Sequence, residues 1–261
     1  MYKFSTIKNG FTLSEILIAL VITGVIAAIT VPQILQNTQK KELQAALIKT
    51  YSELNQIARK FSSDYGVSVS DYSYTNGISQ TNKVIAKYYR SSESLSSRWG
   101  TDDGSGNYTA YYTMHLLNRE KFSGGTNTNG GDSSFLCDDA PFQSQTNGAI
   151  YILNNAGSET RNGPVICVDI NGQRGPNRYG VDYFLFIFTV DNKVIPVGQS
   201  HDNNPGTCVI ASGSCPNFNN VGSEYCSKTS SNVTYNTSCA YYALLNKHPT
   251  IANKNYWGDF I

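Results

Sequence analysis

The feature that most constrains this chain is the run FTLSEILIALVITGVIAAITV over residues 11–31, preceded by ten residues, MYKFSTIKNG, that carry Lys3 and Lys8. As an α-helix the run spans about 31 Å at 1.5 Å per residue, close to the hydrocarbon thickness of one bilayer. It is expected to cross a membrane once, with the short basic end held on the cytoplasmic side.

Glu15 narrows the reading further. A carboxylate at the bilayer centre costs about 2.5–3.5 kcal/mol, and less near an end, so an acid inside an apolar helix implies a partner. Cleavage between Gly10 and Phe11 would create an α-amino group four residues from Glu15. A neighbouring copy, staggered by one step, would then set its own Glu15 against that amine. Such a pair specifies register more than it adds stability. Two other readings stand beside this one: a carboxylate that snorkels to the interface, and a secretory signal cleaved near Val25-Ile26-Ala27. Glu15 argues against the second.

The hexapeptide Gly10-Phe11-Thr12-Leu13-Ser14-Glu15, followed by an apolar helix, resembles the class III signal of type IV prepilins and type II secretion pseudopilins. The resemblance implies that a prepilin peptidase removes residues 1–10 and N-methylates Phe11, with Gly10 permitting cleavage and Glu15 directing assembly. Pro32 matches the helix-kinking proline of that family, and Gly24 lies where its packed helices loosen. The implied partners are copies of the chain or other pilins, the peptidase, the pilus or type II secretion assembly machinery, and the cytoplasmic membrane before assembly. The implied location is a single pass through the inner membrane with the globular part outside the cytoplasm, then a pilus, the cell surface or a periplasmic pseudopilus.

Beyond Pro32, Leu43, Leu47, Leu54, Ala58 and Phe61 recur at three- and four-residue steps among Lys40, Lys41, Glu42, Lys49, Glu53 and Arg59. That is an amphipathic helix with one packing stripe. A single helix over roughly residues 12–63, ended by the stretch from Asp64 to Gly66, is the economical picture. The expected organisation is a leader (1–10), a membrane or filament-core helix (11–35), an amphipathic helix (36–63) and a globular head (64–261). The fold class is α+β: a long N-terminal helix packed on an antiparallel β-sheet, with disulfide-tied C-terminal loops.

The head is rich in Gly, Ser, Thr, Asn and Tyr, and only 15% of the chain is charged, which suits loop-rich β structure on an external surface. A net charge of +1 offers no field that would gather a polyanion, so no specific nucleic acid is expected. Residues 149–153, 164–169, 183–190 and 193–197 are β-branched and aromatic, with Asp191-Asn192 as a turn, and predict a meander. Residues 84–89 fit a short helix or a strand. Residues 240–245 suggest a last short helix.

The stretch DINGQRGPNRYGVD, residues 169–182, gathers oxygen-bearing side chains and glycines. Asp169, Asn171 and Gln173 alternate as at the start of an EF-hand-like calcium loop, with Asp182 nearby, but Gly180 stands where the closing acid belongs. A structural Asx-turn loop is the preferred reading and calcium the alternative; no other cofactor is expected. The stretch also resembles a DxNGxxGPNxxGxDxF pattern associated with bacterial pilin-like sequences.

Cys137, Cys167, Cys208, Cys215, Cys226 and Cys239 form no CxxC pair, which disfavours zinc and thioredoxin-like chemistry. Downstream of an export segment they suggest up to three disulfides in an oxidising compartment. By proximity Cys208 with Cys215 and Cys226 with Cys239 would pair, leaving Cys137 with Cys167; fifteen pairings exist, and the distal four would tie an outer, variable edge. Asn107, Asn232 and Asn236 begin glycosylation sequons. His115, His201 and His248 stand apart without a catalytic motif, so no enzyme is expected. A structural filament subunit, major or minor, is the leading expectation. A type II secretion pseudopilin is the alternative, and a pilin-anchored binding protein or hydrolase comes third.

Overall fold

A computed structural model describes residues 12–90, 100–102, 108–110, 114–121, 141–154, 163–172, 174–199, 209–210, 213–214, 225–231 and 233–261. Helix α1 occupies Leu13–Tyr65, with Pro32 inside it. The chain divides into two compact units, and the boundary between Glu42 and Leu43 falls within α1. Gly66 stops the helix: at φ +72° it takes the left-handed conformation, and its N–H reaches the Ser62 carbonyl at 2.9 Å.

Among the described residues of the first unit every large apolar side chain, all between Leu13 and Leu35, is exposed, from 78% at Leu13 to 44% at Ile16. This is a helix with an apolar surface all round and no core of its own.

The second unit begins with the amphipathic stripe. Leu43, Leu47, Leu54, Ala58 and Phe61 are buried as their spacing predicts, and Thr50 and Ile57 join them. Helix α2, Val69–Asn76, carries an N-terminal cap in which Ser68 accepts the Asp71 N–H at 2.9 Å and donates to its carboxylate at 2.8 Å. The S-x-x-D spacing was the available signal for a helix that periodicity missed. Helix α3, Ile78–Tyr88, resolves the ambiguous stretch, since Thr81, Asn82, Val84 and Ile85 are buried at helical spacing.

Strands β1 (Gly100–Asp102) and β2 (Tyr108–Ala110) form a two-stranded ladder. The main sheet is an antiparallel meander of β3 (Pro141–Gln143), β4 (Ile150–Asn154), β5 (Val165–Asp169), β6 (Tyr183–Phe188) and β7 (Val194–Pro196), in that spatial order. A second small ladder joins β8 (Val209–Ile210) to β9 (Gly213–Ser214). The expected meander therefore gains an edge strand, β3, too short to show a period. Cross-strand partners such as Val168 opposite Phe184 and Cys167 opposite Leu185 set the register.

The sheet is covered on both faces. Tyr151, Leu153, Ile166, Val168, Phe184, Phe186 and Phe188 face the cluster that contains the α1 stripe. Ile152, Val165, Cys167, Leu185, Ile187 and Ile195 face a second cluster closed by Met114, Leu116, Tyr179 and Val197. All six residues of β6 are buried, which is why the run YFLFIF is continuously apolar instead of alternating. Polar pins accompany the packing. Asn55 of α1 accepts the Val194 N–H at 3.0 Å, and Asn147 donates to Glu53 at 3.0 Å.

Helix α4, Cys239–Leu245, is tied by a disulfide from Cys226 to Cys239, and a π-type turn over Tyr256–Phe260 closes the chain. Against the expectation of an outer, variable edge, Cys226 and Cys239 are 2% and 1% exposed and belong to the same core as α1. The reason is the aromatic terminus: Trp257 Nε1 donates to the Ala243 carbonyl at 3.0 Å, and Tyr256 hydroxyl donates to the Gly180 carbonyl at 2.6 Å. Cys167 is also disulfide-bonded. Cys137, Cys208 and Cys215, and with them the other two expected pairings, lie outside the described residues.

Candidate assembly site

Thr12 precedes the first helical residue and caps it. Its N–H and its hydroxyl both donate to Glu15 Oε2 at 2.8 Å, while the Glu15 N–H donates back to Thr12 Oγ1 at 3.2 Å. This reciprocal capping box satisfies donors that a helix start leaves unpaired and places a carboxylate at the positive end of the dipole. In the single chain, Glu15 therefore does not extend freely towards solvent, because its own Thr12 holds one oxygen. The T-x-x-E spacing of Thr12 and Glu15 is the sequence mark of this box. Gly10 and Phe11 lie outside the described residues.

Three threonines of the same unit turn their hydroxyls onto the helix. The hydroxyls of Thr23, Thr30 and Thr38 donate to the carbonyls four residues back, those of Ala19, Ile26 and Ile34, at 2.6, 2.9 and 2.9 Å. Bonded this way, a threonine presents little polarity to lipid or to packed neighbours. Pro32 supplies no donor for the Ala28 carbonyl, yet the helix continues through it. Around Gly24 a Cβ would meet nothing within 4 Å. What this end can do chemically is limited and specific: it offers one carboxylate at the start of an exposed apolar stretch.

The 169–182 loop is a different kind of site. Asp169 Oδ1 accepts the Asn171 N–H at 3.2 Å, and Asn171 Nδ2 donates to the Gly175 carbonyl at 3.2 Å. Asp182, fully buried, accepts the Asn177 N–H at 2.7 Å and the Arg178 N–H at 2.6 Å, one on each oxygen. Burial pushes the Asp182 carboxyl up to about 6, against the opposing pull of the Arg178 and Asn177 N–H groups. Two glycines are required for the loop to dock. A Cβ on Gly172 would lie 2.4 Å from the Gly148 carbonyl oxygen, and one on Gly180 would lie 2.9 Å from the Tyr256 hydroxyl. Among the described residues no three His, Cys, Asp or Glu side chains gather into a metal-holding group. Gln173 lies outside the described residues.

Of the other residues singled out by sequence, His115 exchanges backbone bonds with the 177–179 segment, donating to Asn177 at 2.8 Å and accepting from Tyr179 at 3.0 Å. Asn236 is buried, and its side-chain oxygen accepts the Leu117 N–H at 2.7 Å, so this sequon asparagine packs inside the folded head. Asn107, Asn232 and His201 lie outside the described residues.

Residues 6–31 match the model of the prokaryotic N-terminal methylation motif, the signal of type IV pilins and pseudopilins. The match takes in Gly10, Phe11 and Glu15 and stops one residue before Pro32. No curated protein and no solved structure matches the chain.

Proposed function

Starting from a chain that carries the pilin-type methylation signal, we propose that it is a structural subunit of a type IV pilus-like filament, cleaved after Gly10 and polymerised through α1. The observation that supports this reading is the stretch of α1 from Leu13 to Leu35: an exposed, apolar helical surface whose one charged side chain is Glu15, near its start. Such a surface requires lipid or other helices around it, and the carboxylate selects which neighbour and in what register. Glu15 Oε1 is the oxygen left for a neighbour's α-amine, since Thr12 engages Oε2. The role is structural, not catalytic. A pseudopilin of a type II secretion machine uses the same signal and differs by the filament it enters. N-terminal sequencing with mass spectrometry of envelope and sheared-filament fractions tests the proposal. A chain beginning at N-methylated Phe11 and enriched in the sheared fraction is expected, whereas an uncleaved chain confined to the envelope overturns it.

The 169–182 loop is read as a structural turn, supported by the bonds that Asp169 Oδ1, Asn171 Nδ2 and both Asp182 oxygens make to the loop's own backbone. Melting of the head is expected to be the same in chelator and in excess calcium. Calcium-dependent protection of this loop from hydrogen exchange would replace the turn reading with a metal site.

A further inference from the structure

His248 sits in the loop between α4 and the terminal turn. Its Nδ1 accepts two backbone N–H groups, from Thr250 at 3.1 Å and from Ile251 at 3.0 Å, with the Thr250 hydroxyl at 3.4 Å. The His248 backbone N–H donates to the Lys254 carbonyl at 2.9 Å, closing the loop. The ring meets Phe260 edge-on, with centroids 4.9 Å apart, and Lys228 Nζ lies 4.7 Å from the same phenyl centroid.

An imidazole nitrogen that accepts hydrogen bonds cannot carry a proton, so this geometry demands the neutral tautomer with hydrogen on Nε2. Protonation from solvent would put a third N–H against two N–H donors, and both bonds would be lost. The charged groups that face the ring are Lys254 in its own loop, Lys228 in the segment before α4, and Asp259 in the terminal turn. Partial burial and the two lysines hold its pKa below the ordinary histidine value, with Asp259 opposing them.

We infer that His248 is an acid-sensitive latch: neutral, its Nδ1 pins the turn at Thr250 and Ile251, and protonated it releases that turn and loosens the loop that carries the aromatic terminus. The sign follows from linkage. The unfolded chain takes up the proton at higher pH than the folded one, so the contribution to local stability is complete above about pH 6.5 and falls as pH drops through the folded value. A head domain outside the cytoplasm meets external pH directly, which gives the latch an occasion to act. It does not depend on filament assembly.

The test uses the full chain in detergent micelles with 15N-labelled histidine. His248→Asn both assigns the His248 signals among the three histidines and supplies the control, because an amide oxygen can take the place of Nδ1 without titrating. In the parent chain we expect an unprotonated Nδ1 at neutral pH and a midpoint below about 6.5. Hydrogen exchange of the 249–255 segment, corrected for intrinsic rates, should rise about tenfold between about pH 7.5 and about pH 5, and should stay flat in His248→Asn. A protonated Nδ1 at neutral pH, a midpoint at or above 6.5, or the same exchange response in both chains overturns the latch. The titration of the parent chain decides the matter by itself if His248→Asn does not fold.

Discussion

Helix α1 is two surfaces on one backbone. Before residue 43 its apolar side chains are exposed and its hydroxyls are turned back onto the helix; after it, seven residues from Leu43 to Phe61 are buried and Asn55 and Glu53 reach polar partners on other elements. The first half has no core and resembles a solvent-exchange problem awaiting lipid or neighbours. The second half is one wall of a finished core. The difference teaches that helix formation and helix burial are separate questions: hydrogen bonds along the backbone make both halves helical, but only an amphipathic stripe with a facing sheet makes a folded domain.

The largest effect that would sharpen this contrast is at Glu15. Glu15→Ala is expected to reduce sheared filament by at least about tenfold, while the melting of the head stays unchanged. Wild-type filament yield in that variant would remove the carboxylate from the assembly mechanism. A matched pair of truncations comes next. Leu54→Ala should cost the head about 2–5 kcal/mol, because Leu54 is fully buried in the core, whereas Leu20→Ala should move head stability by less than about 0.5 kcal/mol. Equal effects on thermal or denaturant unfolding would break the division between the two halves.

The last test concerns Asp182, whose carboxyl burial pushes up to about 6. For an acid with a raised folded value, the folded state binds the extra proton, so this residue's contribution favours folding at low pH and is lost as pH rises from about 4 towards 6. His248 acts with the opposite sign in an overlapping window, so the residue-specific carboxyl shift of Asp182 by NMR is the measurement that separates them. A midpoint near the ordinary aspartate value, about 3.9, would contradict the burial argument.

Much of this was legible in the sequence for identifiable reasons. The α1 stripe, the helix stop at Gly66 and four strands of the meander were readable because each is a local period or a local breaker. The elements missed were β3, at three residues too short for a period, and α2, whose only local mark was the Ser68 cap. At the candidate site the same limit held: Glu15 stood out by its cost in an apolar run, but its bonds to Thr12 depend on cap geometry. The terminal aromatics gave no hint that Tyr256 would reach a carbonyl 76 residues away.

By itself the sequence determined the anchor: a charge-free apolar length, one carboxylate and a glycine before an aromatic are local chemistry, and lipid thickness and desolvation act on them directly. Tertiary structure decided the head. Only packing could show that the sheet is covered on both faces, that the Cys226–Cys239 region is core and not edge, and that Asp182 and His248 are held in environments where their protonation matters. Burial is a property of surfaces brought together from distant parts of the chain, and no window of sequence contains both sides of such a contact.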